Sequence, residues 1–544
     1  MTGAAARRGW CLALAVAAAA CVPYVSSIGD YFVQDDFGVV QLLAKRPWST
    51  FPRWFVIPWM EDIWGYTPDE LRPFVAFTYQ LTGKGAPARP ELHHLFNIAV
   101  HAGCALLVMA IARRAMGLSA AAAGFAGLVF AVLPNQVESV AWITGRVDSM
   151  PALFYFATFL AYAHGRQHHR WPVYAAALAL FFVALFSKQN TITMVGTLAA
   201  YDAVVLTRRE RGPLLRAFLY WVPFAVLTGG FLLLRRAVFG QSLRPGLQTQ
   251  DQIAAVATMM DHHVRRTVMG HLGAPSSIDL AAAAFLVTGL LAIALRSAPE
   301  ARSRFARMGL FFGVIWFAIG VAPVALAGYE SPRHAYLASA GWAFMLALIV
   351  DGLCHVVRSR AFRAGVLAAA VVVAGIYLAR LAPVLEAWDT SAAISEAAAG
   401  RVRQEAAAAL PGTLMIVGVP RSSWEWSSPF VLGPPFAPEG LIERVRLVTP
   451  WRLHCCGRGP WDTATRLHLR GWLLSSPRPP IIAVRFAPGT GAVSRATDAD
   501  VPELHGIIPV LLQTTSAETL DAVIGDILER IVAGRREELG GLPR

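Results

Sequence analysis

Residues 9–37 read GWCLALAVAAAACVPYVSSIGDYFVQDDF and join an apolar run to three carboxylates. The run at residues 9–28 has the length of a membrane-spanning helix, which needs about 20 apolar residues. Asp30, Asp35 and Asp36 follow at once, and carboxylates so close to a bilayer are costly and commonly functional. The stretch therefore predicts a membrane helix followed by the acidic edge of an active site. The alternative role for these carboxylates is to cap a helix at the membrane surface.

The composition predicts that most of the chain lies in a membrane. Of 544 residues, 56% are hydrophobic and only 15% are charged, and the mean hydropathy is +0.48. These values are typical of an all-α polytopic membrane protein and exclude an ordinary soluble enzyme. Much of the net charge of +13 is arginine at the ends of apolar runs, which is a topology signal, so no nucleic-acid partner is expected.

Apolar runs recur along the chain and predict about eleven transmembrane helices. They lie at residues 9–28, 95–111, 119–133, 150–163, 171–186, 191–206, 217–234, 278–295, 308–327, 336–357 and 364–381. Several are shorter than the ~20 residues of a typical span, which flanking residues or local thinning of the bilayer can accommodate. The first run also resembles a signal peptide, but we favour a retained helix.

The distribution of arginine orients these helices. If the N-terminus is cytoplasmic, every inner loop is basic, whereas the short outer loops carry one cation each, namely Arg146, Lys188 and Arg333. Because topology does not require these three cations, they are candidates for a binding site on the same side as the acidic stretch. Alternatively, each extends to a lipid headgroup or pairs with Glu138 or Glu330.

Two outer segments, residues 29–92 and 237–277, are too long for simple turns. The first interleaves tryptophan with proline and charge, which suits a helix lying at the membrane interface. The second contains His262 and His263, but adjacent histidines point in different directions on a helix. We therefore expect a solvated loop here rather than a metal site.

The composition changes after Leu381, where apolar runs shorten to strand length. Such runs lie at residues 413–419, 481–486 and 507–512, and they alternate with helical stretches at residues 391–409 and 517–532. This alternation predicts a small α/β domain outside the membrane. The predicted division is a transmembrane domain of residues 1–384 and a C-terminal α/β extracytoplasmic domain of residues 385–544.

Six sequence motifs occur in a recognisable order. They are YFVQDDF, LRPFVAFTYQL, HHLFNIAVH, FAVLPNQVESVAWITGRVDSM, FSKQNTITM and YESPRHAYLAS. Together they resemble the membrane core of the GT-C glycosyltransferases that use polyprenyl-phosphate sugars. The pattern is most similar to the transmembrane O-mannosyltransferases that carry tetratricopeptide repeats, and more distantly to protein O-mannosyltransferases and lipid A aminoarabinose transferases. The repeats themselves are absent here, and Gln189 stands where that family has an acid after the lysine.

The resemblance covers roughly residues 30–350 and implies a GT-C-like core of eleven or more helices. It also implies an inverting glycosyltransferase, hexosyl or pentosyl, that uses a polyprenyl-phosphate sugar donor at the outer leaflet. The acceptor would be a glycan, a lipid or a protein. Arg72, His94 and Glu138 lie in three of the motifs and become further candidates for substrate binding. The implied location is a bacterial-type inner (plasma) membrane.

The candidate residues fit the chemistry of such a donor. A lipid phosphate is an anion held where water is scarce, and Arg146, Lys188 and Arg333 would supply its counter-charge. His334 and Tyr336 follow closely in sequence and are candidate hydrogen-bonding neighbours.

The acidic pair is assigned to the acceptor side of the reaction. An acceptor hydroxyl or amine must lose a proton as it attacks, and Asp35 is the preferred general base. Asp36 is followed by Phe37 and an apolar run that should turn it inward. The second carboxylate would orient the base, bind a sugar hydroxyl or hold a divalent cation, Mg²⁺ or Mn²⁺.

Two other classes of protein remain as alternatives. A lipid or sugar transporter, or a flippase, also has many helices, but it would carry repeated broken helices and acidic groups at mid-bilayer. A membrane scaffold whose C-terminal domain is the working part would leave the outer-loop charges without a role.

The odd number of predicted spans and the arginine asymmetry give a first prediction. Arg544 should lie outside the cytoplasm, on the same face as Asp35. A C-terminal alkaline phosphatase fusion should be active, and a C-terminal fluorescent protein fusion should be dark. A fluorescent cytoplasmic fusion with an inactive phosphatase fusion would contradict this topology.

Overall fold

The computed structural model describes residues 3–61, 69–84, 86–206, 214–243, 252–357, 359–418, 430–448, 471–472, 474–486 and 493–495. Most of these residues are helical. The α-helices, numbered in chain order, are α1 (Gly3–Cys21), α2 (Asp36–Lys45), α3 (Pro73–Gly83), α4 (Glu91–Arg114), α5 (Ala120–Val132), α6 (Val137–Val140), α7 (Arg146–His168), α8 (Trp171–Leu185), α9 (Met194–Val204), α10 (Leu214–Phe239), α11 (Gln252–Val268), α12 (Ser277–Arg296), α13 (Pro299–Met308), α14 (Trp316–Leu326), α15 (Ala340–Val356), α16 (Arg360–Ala408) and α17 (Leu441–Arg444).

Shorter helical segments connect several of these helices. A π-helical segment, Gly309–Ile315, joins α13 to α14. The 3₁₀ segments are Val22–Gly29, Trp48–Phe55, Pro134–Gln136, Ile143–Gly145, Gln189–Thr193 and Pro332–Ala335. Three of them lie at the outer-loop cations of the sequence analysis: Ile143–Gly145 ends just before Arg146, Gln189–Thr193 begins just after Lys188, and Pro332–Ala335 contains Arg333.

Six helices in the described part of the chain are long and apolar enough to cross a membrane. They are Gly9–Gly29, Glu91–Arg114, Phe218–Phe239, Ser277–Arg296, Pro299–Leu326 and Arg360–Ala408. A seventh is counted if Ala120–Val132 and Pro134–Val140, which meet at a bend of 55°, form one span. All eleven predicted apolar runs are helical, but four of them form helices that are too short or too polar to pass as spans. A helical membrane core is therefore confirmed, and the count of eleven stays a prediction.

Small residues let the central helices approach one another closely. Helix α4 packs against α1, α5 and α7. A Cβ added at Gly127 of α5 would lie 2.9 Å from Val16 of α1 and 3.0 Å from the Ala105 carbonyl of α4. Membrane helices associate through such small residues because lipid supplies no hydrophobic force between helices. Gly127 thus allows α1, α4 and α5 to pack closely. Helix α7 packs against α4 in turn, and the site residues before α7 are positioned by this packing.

The predicted boundary at residues 384/385 falls inside a single helix. Helix α16 runs for 49 residues from Arg360 to Ala408 and contains Pro383 without a break. Beyond it, a four-stranded sheet has the order β2, β1, β3, β4, formed by β1 (Thr413–Gly418), β2 (Val445–Val448), β3 (Ile481–Phe486) and β4 (Val493–Arg495). The first three strands are parallel and β4 is antiparallel.

Two of the predicted strands coincide with β1 and β3, whereas β2 was not predicted. The predicted strand at residues 507–512 and the predicted helix at residues 517–532 lie outside the described residues. The predicted helix at residues 391–409 is the last part of α16, so the composition change at Leu381 does not mark a chain break.

The second long outer segment contains a helix, α11, where a solvated loop was expected. His262 and His263 lie in α11. The His262 Nδ1 atom lies 2.7 Å from the Glu330 carboxylate, and His263 Nε2 lies 2.9 Å from the Tyr329 carbonyl. These bonds tie α11 to the segment before Arg333 and give both histidines structural partners.

Candidate active site

The acidic stretch forms an irregular loop that ends at the start of α2. Gln34 has a φ of +50°, a conformation that is rare for a residue with a side chain. Such a residue costs roughly 1–3 kcal/mol and persists only where its surroundings require it. Asp35 follows directly and precedes the first residue of α2. Because Asp35 lies in no helix or strand, its position depends on the contacts that the loop makes with other parts of the protein.

The two adjacent aspartates face different environments. Asp36 is 1% exposed and points into the protein. Its Oδ1 atom accepts hydrogen bonds from the Thr144 amide at 2.8 Å and from the Thr144 hydroxyl at 2.6 Å. Its Oδ2 atom accepts from the Val33 amide at 3.1 Å. Asp35, by contrast, lines a large cavity.

The pKa of Asp36 reflects this burial. Desolvation raises the pKa of the Asp36 carboxyl to about 7, while the bonds from Thr144 and Val33 act in the opposite direction. The carboxyl acts as the fixed acceptor for three donors, a role that an exposed catalytic base does not have. The two aspartates thus have different roles: Asp36 holds the loop, and Asp35 faces the cavity.

The cavity has a volume of about 740 Å³ and lies where several helices begin or end. Its polar wall contains charged, amide and imidazole side chains, namely Asp35, Glu70, Arg72, Lys188, Gln189, Asn190, Arg333 and His334. Much of the remaining wall is apolar and includes Ile192, Ile319, Ala322, Pro323 and Leu326. This volume is in the range of sites that hold small molecules. The same cavity therefore contains both cationic side chains and an apolar surface.

Lys188 and Arg333 share one carboxylate behind the cavity wall. The Lys188 ammonium donates to Oδ1 of Asp148, and Nε of Arg333 lies 3.4 Å from Oδ2 of the same residue. Asp148 has a side chain only 4% exposed, so it supports both cations from within. This arrangement holds two positive charges side by side at the cavity.

Arg333 is further fixed by Glu138 and Trp142. Its Nη1 atom donates to Glu138 at 2.8 Å, and its guanidinium lies 4.6 Å from the centre of the Trp142 ring. Ser331 donates to the same Glu138 carboxylate. Among the described residues, Nη2 of Arg333 has no hydrogen-bond acceptor, which leaves donor capacity for a ligand. Glu330, the other predicted partner, instead contacts Arg266: its backbone carbonyl accepts a hydrogen bond from Arg266, and its carboxylate lies 3.7 Å from the Arg266 guanidinium.

The pKa shifts of the basic residues follow from burial and pairing. Burial lowers the pKa of Lys188, and Asp148 opposes this. Burial also acts to lower the pKa of Arg333, but Glu138, Asp148 and Asp35 outweigh it and raise the pKa. The pKa of His334 is far below its usual range because it is buried among cations. Arg333 thus stays charged, and His334 faces the cavity as a neutral imidazole.

Arg72 forms a second cationic position on the cavity wall. Its Nη2 atom donates to Glu70 at 2.7 Å, and the indole of Trp59 donates to the other Glu70 oxygen at 3.1 Å. All three side chains line the cavity. The Nε atom of Arg72 is buried without a hydrogen-bond partner in the described part of the chain.

Four other predicted residues do not reach the cavity. Arg146 is 0% exposed, and it donates to the Thr78 and Thr82 hydroxyls at 3.3 Å each and to the His93 carbonyl at 3.0 Å. The structure gives this cation a role in joining α3, α4 and α7 rather than in lining the cavity.

The remaining three have partners inside the protein. His94 lies 3.0 Å from the Asp30 carbonyl. The Tyr336 hydroxyl lies 2.7 Å from His101. Glu138 supports Arg333 from behind. Of the predicted candidates, the structure therefore brings Asp35, Arg72, Lys188, Arg333 and His334 to one cavity.

Sequence reasoning missed Asp148 and Glu70. Asp148 lies two residues after Arg146 in the same quoted motif, and Glu70 lies two residues before Arg72. In each case an acid close to a candidate arginine was the available signal. Arg146 itself is buried away from the cavity, whereas Asp148 pairs with the cavity cations Lys188 and Arg333.

The residues that the structure describes do not fit a dedicated metal site. Asp36 uses both carboxylate oxygens on Thr144 and Val33, so the acidic pair does not offer two ligands to one cation. Within the described ranges, no group of three histidine, cysteine, aspartate or glutamate side chains could hold a metal ion. The chemistry proposed below is derived from the protein side chains alone.

Known proteins resemble the chain in part of its sequence and in its fold. No protein-family model matches. Protein O-mannosyl-transferase TMTC3 of Homo sapiens is 26% identical over 195 residues, which cover 34% of this chain and 20% of that protein. Protein O-mannosyl-transferase Tmtc1 of Drosophila melanogaster is 27% identical over 208 residues, covering 36% and 23%. The match thus spans about a fifth to a quarter of the length of these relatives.

A solved structure extends the likeness to nearly the whole chain. ArnT from Cupriavidus metallidurans, crystallised with undecaprenyl phosphate, superposes with a TM-score of 0.51 at 15% sequence identity, covering 89% of this chain and 94% of ArnT. At this identity the superposition establishes the fold alone. In sequence over about a third of its length, and in fold over most of it, the chain thus resembles membrane glycosyltransferases of the GT-C type.

Removal of the Asp36 carboxylate should destabilise the protein. Asp36→Ala leaves two amides and one hydroxyl without their acceptor, and each unsatisfied buried group costs about 1–3 kcal/mol. Asp36→Asn keeps one oxygen acceptor and should lose less. Thermal unfolding of the purified variants measures the difference, with Asp35→Asn as the control that should unfold near the wild-type temperature. An Asp36→Ala variant as stable as wild type would contradict the assigned role.

Proposed function

We propose that the chain is a membrane glycosyltransferase that moves a sugar from a polyprenyl-phosphate donor to an acceptor, with inversion at the anomeric carbon. The observation that carries this proposal is the cavity in which Asp35 faces Arg72, Lys188 and Arg333 and which continues along an apolar wall. A soluble nucleotide sugar would need no such apolar wall, whereas a lipid-linked donor needs both surfaces.

The cations suit the phosphate of the donor. Lys188 and Arg333 are held side by side by Asp148, so their charges are positioned before any ligand binds. Burial strengthens the attraction of these charges for an anion because little water competes. The polyprenyl chain would lie along Ile319 and Leu326 of α14, which face the same cavity.

Asp35 suits the role of general base. Its carboxylate would accept the proton of an acceptor hydroxyl or amine as that atom forms a bond to the anomeric carbon. The bond between the anomeric carbon and the phosphate oxygen breaks, and its electron pair leaves with the phosphate. Arg333 and Lys188 would stabilise the charge that develops there. A single displacement of this kind inverts the configuration at the anomeric carbon.

The proposal includes a membrane topology. The core of residues 1–384 would cross a bacterial-type inner membrane eleven times with the N-terminus in the cytoplasm. The cavity and the C-terminal α/β domain of residues 385–544 would face the periplasm or the exterior, where polyprenyl-linked sugars meet their acceptors. The sugar would be a hexose or a pentose, and the acceptor a glycan, a lipid or a protein.

Replacement of the proposed base should abolish most turnover without loss of the fold. Asp35→Asn removes proton acceptance, and positioned base catalysis contributes about 10²–10⁴-fold, so turnover should fall by that order. Sugar transfer from a panel of purified polyprenyl-phosphate sugars measures the loss, with donor affinity and unfolding temperature followed in parallel. Wild-type turnover in folded Asp35→Asn would remove the proposed mechanism.

Arg333 should be required for donor binding, and lysine should not replace it. Arginine presents a planar fork to phosphate oxygens, and Arg333 also needs this fork to contact Glu138 and Asp148 at once. We expect Arg333→Lys and Arg333→Ala to weaken binding of polyprenyl phosphate about tenfold or more. Arg265→Lys on α11, whose side chain is 41% exposed and pairs with Asp261, is the control. Unchanged affinity in Arg333→Ala would assign Arg333 to a structural pair with Glu138.

A further inference from the structure

The loop that carries Asp35 is covered by a segment from the C-terminal part of the chain. Phe436 is 8% exposed, and its ring meets Phe32 and Phe37 edge-on, with ring centres 5.1 and 4.8 Å apart. Phe32 and Phe37 stand on either side of the acidic pair in sequence. A single ring therefore touches the loop both before and after Asp35.

Hydrogen bonds join the same segment to the loop. The Arg403 guanidinium on α16 donates to the Tyr31 hydroxyl at 3.0 Å and to the Phe436 carbonyl at 3.1 Å. The Gln41 amide on α2 donates to the Pro434 carbonyl at 2.7 Å. One arginine thus connects the loop, the covering segment and α16, and the amide adds a second link on the other side.

Helix α16 makes one further hydrogen bond to the loop, from a residue that follows the predicted transmembrane domain of residues 1–384. The Ser395 hydroxyl donates to the Phe32 carbonyl at 2.6 Å. Residues 31–35 make no helix or strand, and Gln34 has a left-handed backbone. Because such a conformation persists only where surrounding contacts enforce it, these contacts are what the loop needs in order to hold its shape.

We propose that Phe436 and Arg403 are positioning residues, which hold the loop so that the Asp35 carboxylate faces the cavity. The inference rests on the proposed role of Asp35 as the base. It extends that role by giving the C-terminal segment at residues 430–437 a function in the reaction. Neither residue lines the cavity, so both act through the loop. Loss of the Phe436 ring leaves a void between Phe32 and Phe37 into which the loop can relax.

The test uses the full-length protein purified in detergent, with Phe436→Ala as the main variant and Phe436→Leu as the conservative one. Hydrogen exchange of the amides at residues 31–37 reports how firmly the loop is held. In Phe436→Ala we expect this exchange to rise about tenfold or more. Displacement of a catalytic group by about 1 Å can cost about 100-fold, so kcat should fall by about 10- to 100-fold. KM for the donor should stay within about twofold, because the cations do not move, and Phe436→Leu should recover much of kcat.

Two further variants separate positioning from general stability. Leu414→Ala removes a fully buried side chain from β1 and should leave both the loop exchange and kcat near wild type. Arg403→Gln tests the same proposal without creating a void, and it should raise loop exchange and lower kcat even if Phe436→Ala does not fold.

Several results would overturn the proposal. One is wild-type loop exchange and wild-type kcat in folded Phe436→Ala and Arg403→Gln, and another is an equal loss of kcat in Leu414→Ala. If the wild-type protein transfers no sugar from any polyprenyl-phosphate donor, the proposed function fails. The exchange measurement is independent of that failure, because loop exchange that is unchanged in Phe436→Ala overturns the positioning role by itself.

Discussion

The hydrogen bonds to Asp36 set the relative position of two segments that are far apart in sequence. One carboxylate accepts from Val33 in the acidic loop and from Thr144 before α7. The Trp142 indole adds a bond to the Val33 carbonyl at 3.4 Å and lies against Arg333. The distance between Asp35 and the cations therefore depends on an interaction of Asp36, whose side chain does not line the cavity. A buried carboxylate is costly, and its three donors offset part of that cost.

The same constraint explains how the cations are arranged. An unpaired charge in a low-dielectric site is strongly unfavourable, so each cavity cation is paired with a carboxylate. Glu70 pairs with Arg72 on the cavity wall, whereas Asp148 pairs with Lys188 and Glu138 pairs with Arg333 from outside the cavity lining. Asp148 and Glu138 thus hold Lys188 and Arg333 without occupying the cavity. A site built in this way holds its charges in place before the anion binds. Electrostatic stabilisation is most effective when the charges are positioned in advance.

Much of the fold could be predicted because hydrophobic runs and charge asymmetry are local signals. The eleven apolar runs predicted as membrane helices are helical, and Lys188 and Arg333 stood out as cations that topology did not require. The role of Arg146 could not be predicted in the same way, because its partners come from α3 and α4. The continuity of α16 across Pro383 was missed for another reason. Proline is tolerated in membrane helices, so neither it nor the change in composition marks a break.

Contacts between distant parts of the chain were beyond sequence reasoning. Phe436 lies between the predicted strands at residues 413–419 and 481–486, where the sequence predicted no regular element, yet it packs between two phenylalanines beside the acidic pair. Asp148 was inconspicuous because its importance comes from two cations in other loops. Such residues become visible only when the chain is folded, since no local spacing relates them.

The central claim is that one cavity binds a lipid-linked phosphate between Asp35 and the cations. A cryo-electron microscopy map of the purified protein with polyprenyl phosphate tests this claim most directly. The account predicts phosphate density within hydrogen-bonding distance of Arg333 and Lys188, with the lipid chain along Ile319 and Leu326. Phosphate density elsewhere on the protein, with this cavity unchanged, would contradict it.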